Sequence, residues 1–290
     1  MTITAAPQNK EQLAPLFDPA TYQQFLHAED PDDEICLVAY DNDQPIGLVW
    51  ATLFPPILDA FLHTLFVLPE HRHRGVGKEL MQTLYAKLNE HKITTVSTHY
   101  PQTETTPYFQ NILSQDRWTK PDPYGTRFTV HIPTFEPPWY NPQYRLLPTY
   151  SIFPWSRVTK TEQKHIDQQE EREFFPIDVS PLGDETLIEP LNSLGMRFNG
   201  KLIGWMITHR LNKETICYTA LYVEHHHRYT GVAIYLLIEA IKRQKRSSIP
   251  YAQFDLDTTQ ADRHWIRFVQ NRLAPYAQSQ TPLIFQEKTL

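Results

Sequence analysis

The chain has 290 residues, with 27 Lys and Arg against 33 Asp and Glu, for a net charge of −6. That balance argues against nucleic acid as the main partner and leaves room for a local basic pocket. The length suits two ordinary domains, each able to bury a core without staples, and no apolar run is long enough to span a bilayer. Met1–Lys10 lacks the charged and apolar regions of a secretion signal, which predicts a cytoplasmic location. Cys36 and Cys217 fall inside apolar strands of separate halves and read as buried thiols.

Along the chain, apolar runs at 35–40 and 46–53 flank the polar turn Asp41–Pro45, the pattern of a hairpin. A third strand, 60–67, leads into a glycine loop. Leu80, Leu84 and Leu88, widened by Met81 and Tyr85, then mark a helix over 78–90. A strand at 94–99, a helix at 108–113 and a strand at 127–132 close the first half. The second half predicts a charged helix at 161–172, a hairpin at Asn199-Gly200, a strand to Val223, a second glycine loop and a helix to Lys245. A strand at 251–257, a helix at 260–273 and a last strand at 281–286 follow. The boundaries are 1–132 for a first domain, 133–148 for a strap dense in Pro and aromatics, and 149–290 for a second domain. Proline at that density excludes regular helix, and the aromatics predict a strap lying on a surface.

The two glycine loops carry the chemistry. Arg72-His-Arg-Gly75-Val-Gly77 follows a strand ending Val67-Leu-Pro-Glu70, and Arg228-Tyr-Thr-Gly231-Val-Ala233 follows one ending at Val223. Val67 and Val223, Arg72 and Arg228, and Gly75 and Gly231 are each 156 residues apart. A fixed offset between blocks with their own strand and helix indicates duplication of a whole domain. Absent side chains at Gly75 and Gly77, free helix N–H groups, and Arg72 and Arg74 make an anion site suited to a pyrophosphate.

Both loops resemble the motif of the GNAT acyl-CoA N-acyltransferases, Arg/Gln-x-x-Gly-x-Gly/Ala, although His225 stands where the first copy has Pro69. The resemblance covers most of both halves. It implies an α/β (α+β) fold: two tandem GNAT-like domains, each a mixed, mostly antiparallel sheet flanked by helices. It further implies acyl-CoA (acetyl-CoA or a longer-chain thioester) as co-substrate, held at Phe66, Val67, Arg72, His73, Arg74, Gly75, Val76, Gly77 and Lys78. The second copy offers Val223, Arg228, Tyr229, Thr230, Gly231, Val232 and Ala233. The pantetheine arm is expected between two splayed strands, bonded to the backbone near Val67.

An alkyl amine acceptor of pKa ~10.4 is almost wholly protonated at pH 7, so a base is needed. His63 is the candidate: it shares the parity of Val67 on one strand and has an ordinary pKa of ~6.5. In some family members a His at this place helps to deprotonate the amine, with a hydrogen-bonded core His as the alternative. A Tyr on the helix after the next strand commonly protonates the leaving thiolate in the family, and Tyr108 is the nearest match; a shift of one residue would put Phe109 there instead. The second half has Thr219 in place of His63, with Trp265 and Phe268 but no Tyr near the acid, which favours the first domain as catalytic. His225-His226-His227 lack companions at metal-ligand spacing, so no metal is expected. Lys242–Arg246 reads as a helix C-terminus answering its dipole. Phe54–Leu58 either lines an acyl slot or caps the core.

The expected activity is transfer of an acetyl or longer fatty acyl group to a primary amine of a small molecule or peptide. The competing class is a non-catalytic acyl-CoA sensor or scaffold. A monomer or homodimer is expected, with no nucleic acid and no membrane span.

Overall fold

The computed structural model describes residues 1–7, 9–28, 31–172, 175, 179–181, 187–228 and 230–290. The chain forms two compact units, Met1–Thr126 with Thr281–Leu290, and Arg127–Gln280.

In the first unit β1 (Thr2–Ala5) is followed by a 3-10 helix (Lys10–Leu16) and α1 (Pro19–Leu26). Then come β2 (Glu34–Asp41), β3 (Gln44–Phe54), β4 (Asp59–Val67), α2 (Val76–Glu90), β5 (Thr95–Pro101) and α3 (Thr106–Gln115). Asn42 and Asp43 turn β2 into β3 with φ of 47° and 66°, a left-handed conformation that Asn and Asp tolerate in a two-residue hairpin. One sheet face packs on α2, whose Leu80, Met81, Leu84 and Leu88 are fully buried against Leu37, Val49 and Leu62. Each such leucine contributes roughly 1.5–3 kcal/mol of burial free energy. The opposite face packs Val38, Leu48 and Trp50 against Leu13, Leu16 and Phe25 of the N-terminal helices.

The second unit takes up the chain within β6 (Asp122–His131) and holds β7 (Tyr150–Pro154), α4 (Lys160–Glu170), β8 (Leu194–Phe198), β9 (Lys201–Arg210) and β10 (Thr215–Val223). It continues with α5 (His225–Arg228), α6 (Val232–Lys245), β11 (Tyr251–Asp257) and α7 (Arg263–Phe268), and the last strand is β12 (Ser279–Thr289). The helix expected over 260–273 is α7 followed by a π-helical turn, Val269–Leu273. Asn199 and Gly200, at φ 48° and 83°, make the β8–β9 hairpin.

The strand order differs from the sequence reading at one point. The strand at 127–132 was expected to close the first half and that at 281–286 the second, but the two are exchanged. Leu283–Thr289 of β12 pairs antiparallel with Pro101–Thr95 of β5 in the first unit. Arg127 instead binds Asp255 of β11 through Nε and Nη2 at 2.9 and 2.8 Å, and Phe128 stacks on Phe254. The compact units therefore do not follow the boundaries 1–132 and 149–290.

The proline-rich segment after β6 packs on its own unit. Trp139 Nε1 donates to Arg272 O at 2.8 Å and its ring meets Phe268, while Tyr144 stacks on Tyr235 and donates to Glu239 Oε2. Lys242 and Arg243 of the basic run pair with Glu239, and Lys245 with Glu136.

Thr159 caps α4 in a capping box with Glu162, whose carboxylate also takes two bonds from Arg197, at 2.7 and 2.8 Å. The Arg197 bonds and those from Thr159 outweigh desolvation and bring Glu162 down to about 2. A depressed carboxylate stabilises the fold fully above its ordinary pKa, and this contribution is lost as pH falls through about 2. Glu162→Gln is expected to cost roughly 1–2 kcal/mol at pH 7. The difference from wild type should shrink below pH 3 in urea unfolding.

Candidate functional site

The first unit opens at its centre. β4 and β5 run parallel over only three pairs, Asp59↔Thr95, Ala60↔Val96 and Phe61↔Ser97. Thr98 Oγ1 takes the next carbonyl, Leu62 O, at 2.9 Å. From there β4 follows β3 to Val67 while β5 follows β12, and the two strands diverge. A β-bulge adds to the departure: Trp50 faces Thr64 and Ala51 faces Leu62, so His63 is the extra residue. The second unit repeats both devices, with three parallel pairs from Thr215↔Tyr251 to Cys217↔Gln253 and Thr219 as the extra residue.

A cavity of about 470 Å³ lies along this edge. Its walls are Leu65, Phe66 and Val67 of β4, the loop and first turn from His71 to Lys78 except Arg74, and Tyr108, Phe109 and Ile112 of α3. Gly75 is the N-cap of α2 at φ 86° and has no side chain with which to cap the first N–H groups of the helix, and Val76, Gly77 and Lys78 of that first turn line the cavity. That conformation explains the glycine. Gly77 has a different reason from the one the sequence suggested: a Cβ there would lie 2.9 Å from Ile112 Cδ1, so this glycine lets α2 and α3 approach. Arg72 Nε donates to Val67 O at 3.0 Å, which commits that carbonyl and holds the loop to the strand end. Arg74 is exposed and outside the cavity wall.

Residues 5–112 match the sequence profile of the Acetyltransferase (GNAT) family. Residues 5–112 are a GNAT domain. The whole chain has the fold of a tandem GNAT protein from the clavulanic acid biosynthesis pathway, at 11% identity and TM-score 0.73, covering 99% of this chain and 98% of that one. A GCN5-related N-acetyltransferase from Sphaerobacter thermophilus is similar over 100% and 96% of the two chains, at 13% identity and TM-score 0.58. A glucosamine N-acetyltransferase region of a fungal multi-domain β-N-acetylglucosaminidase aligns at 12% identity and TM-score 0.65, over 99% of this chain and 38% of that one. No curated protein shows a significant match. Among the described residues no helix is long and apolar enough to cross a membrane.

Within this GNAT domain, the parity argument for His63 fails because of the bulge. Leu65 and Val67 pack on the α2 side, whereas His63 stacks on Trp50, on the opposite face, at 3.9 Å and 15°. Its Nε2 lies 2.7 Å from Thr52 Oγ1, and Thr52 donates to Glu34 Oε1 at 2.7 Å. Burial takes His63 down to about 4, well below the ordinary value the sequence reading assumed. Burial also raises Glu34 against the bonds from Thr52 and Trp50 and the charge of Lys10, with Asp33 adding to the rise. Tyr108 is 53% exposed on the cavity wall, edge-on to His73, whose φ is 61°. Phe109 packs edge-on to Tyr100 and against the core. Burial drives the thiols of Cys36 and Cys217 up to about 12 and 11, which leaves them protonated and unreactive at neutral pH.

Phe54, Ile57 and Leu58 neither line a slot nor cap the core: they sit in an exposed turn, Ile57 at 71%. In the second loop Gly231 repeats the left-handed N-cap at φ 78°, and Val232 is buried. Tyr229 and the Arg228 side chain lie outside the described residues. His225–His227 belong to α5, and His227 Nδ1 meets Tyr150 OH at 3.0 Å. The helices matching the walls of the first cavity, α6 and α7, carry Tyr144 and Trp139 instead.

Sequence reasoning missed Glu34, Trp50 and Thr52, because nothing in one strand's pattern says which residue its neighbour places opposite. It also missed Gly47 and Gly204, which face Val67 and Val223; a Cβ there would lie 2.8 and 2.5 Å from the carbonyls of Phe66 and Tyr222. A glycine inside each apolar strand was the available signal.

Proposed function

We propose that the chain transfers an acyl group from acyl-coenzyme A to a primary amine, at the first unit. The observation that carries this reading is the uncapped N-terminus of α2 opening on a cavity that follows the diverging edge of β4. A pyrophosphate fits the N–H groups of Val76, Gly77 and Lys78, gaining typically ~0.3–1 kcal/mol from the helix dipole beyond its hydrogen bonds. The pantetheine amides would pair with the open edge of β4 before Val67, whose carbonyl Arg72 holds.

The acceptor then enters from the other face, beside Trp50 and the N-terminal helices, where His63 lies. The amine nitrogen attacks the thioester carbonyl, and His63, neutral at pH 7, takes a proton from the adduct. Collapse breaks the C–S bond, and Tyr108 protonates the departing thiolate. The donor is acetyl-CoA or a longer homologue, and the acceptor a small molecule or peptide amine. The second unit serves as structural support, its matching helices occupied by Trp139 and Tyr144.

Mass spectrometry of the purified protein tests the donor directly, since co-purified CoA or acyl-CoA names it. Thiol release with acetyl-, decanoyl- and palmitoyl-CoA and a panel of amines then tests transfer; tight binding without release would indicate a sensor. Tyr108→Phe is expected to lower kcat at least tenfold with KM for the donor unchanged. An unaltered kcat would remove Tyr108 from the reaction.

A further inference from the structure

β2 and β3 place Glu34 directly opposite Thr52, and β3 in turn places Thr52 beside the bulge that carries His63. Of the three side chains so joined, the ionised Glu34 carboxylate has no proton to give, the Thr52 hydroxyl has one, and a neutral His63 ring has one. The Glu34 carboxylate accepts from Trp50 Nε1 on Oε2 and from Thr52 Oγ1 on Oε1. A hydroxyl has a single proton, and Thr52 spends it on Glu34. Its oxygen, 2.7 Å from His63 Nε2, can therefore only accept, which requires a proton on Nε2. A half-turn of the ring would keep its stack on Trp50 and its edge on Phe61 but would put a ring carbon where Nε2 meets Thr52, so the Thr52 hydrogen bond selects the orientation seen.

We propose that Glu34 and Thr52 are positioning residues that hold His63 in the Nε2–H tautomer and so keep the Nδ1 lone pair for the proton released by the acceptor amine. This rests on the reading of His63 as the base. As the C–N bond forms, the amine proton passes to Nδ1. The resulting imidazolium keeps Nε2–H on Thr52, whose hydroxyl links it to the Glu34 carboxylate, so the new positive charge is answered through one hydrogen-bonded bridge. The second unit has the pair reversed. His209 occupies the place of Thr52, opposite Cys217, and its Nδ1 lies 2.7 Å from Thr219 Oγ1. The arrangement that presents Nδ1 on the bulge belongs to the first unit.

The tautomer is read by long-range 1H–15N correlation NMR on the full chain with 15N-labelled histidine, His63 being assigned by its loss in His63→Ala. Wild type is expected to show Nε2–H. Thr52→Val should give a tautomer mixture and a kcat at least tenfold lower, with KM for acyl-CoA unchanged, and Thr52→Ser should restore both. Glu34→Gln should reverse the tautomer: the Gln amide, its oxygen held by Trp50, donates to Thr52, which then donates to Nε2. An Nδ1–H tautomer in wild type, or an unchanged tautomer in Thr52→Val, overturns the proposal while leaving His63 as base if His63→Ala is inactive. Full activity in His63→Ala overturns the base assignment itself, and the proposal with it.

Discussion

Gly75→Val is expected to weaken coenzyme A binding at least thirtyfold in titration calorimetry, whereas Gly231→Val is expected to leave it unchanged. Both glycines hold the left-handed N-cap of a helix, at φ 86° and 78°, and a Cβ at either would meet nothing within 4 Å. The native backbone is therefore strained by any side chain, by roughly 1–2 kcal/mol and more for a β-branched one. That strain alone is worth about 5- to 30-fold at 1.36 kcal/mol per decade. At Gly75 the isopropyl group also projects into open space beside the N–H groups that the pyrophosphate would use. Gly231→Val carries the same strain and controls for it. The second unit's matching helices are covered by Trp139 and Tyr144, so wild type should bind one CoA per chain. Loss of binding in Gly231→Val with retention in Gly75→Val would move the site to the second unit.

His63→Ala is expected to reduce kcat by ~10²–10⁴ at neutral pH, the usual contribution of a positioned general base. Less should be lost at high pH, where hydroxide can take the proton of the adduct in place of His63. The wild-type profile carries a further signature. A base must be unprotonated to act, and burial depresses His63 to about 4, so its contribution should persist through pH 6 and fall only as pH drops toward 4. An acid limb near the ordinary imidazole value of ~6.5 that His63→Ala abolishes would contradict the burial seen here. A pH profile identical in His63→Ala would exclude His63 from proton transfer.

Most of the elements were legible because they rest on local patterns, although β1, α1, β7 and α5 were not read. The spacing of Leu80, Leu84 and Leu88 marks α2, and alternate apolar residues mark the strands. The strain that Gly75 and Gly231 avoid depends on each residue's own φ, so the two loops also announced themselves. The strap's proline content excluded a helix, but only packing shows that Trp139 and Tyr144 lie on α6 and α7. His63 shows where strand reasoning ends: period-two parity holds only for an unbroken ladder, and one bulge residue moved the ring to the face of Trp50.

The duplication, the two glycine turns and the amphipathic helices follow from residue identity and spacing, since each depends on backbone freedom or apolar periodicity within a short segment. The exchange of β6 and β12, the divergence of β4 from β5, and the Glu34–Thr52–His63 contacts depend on which strands meet. Strands with similar apolar faces compete for the same sheet edge, and their pairing is decided only when the whole core packs.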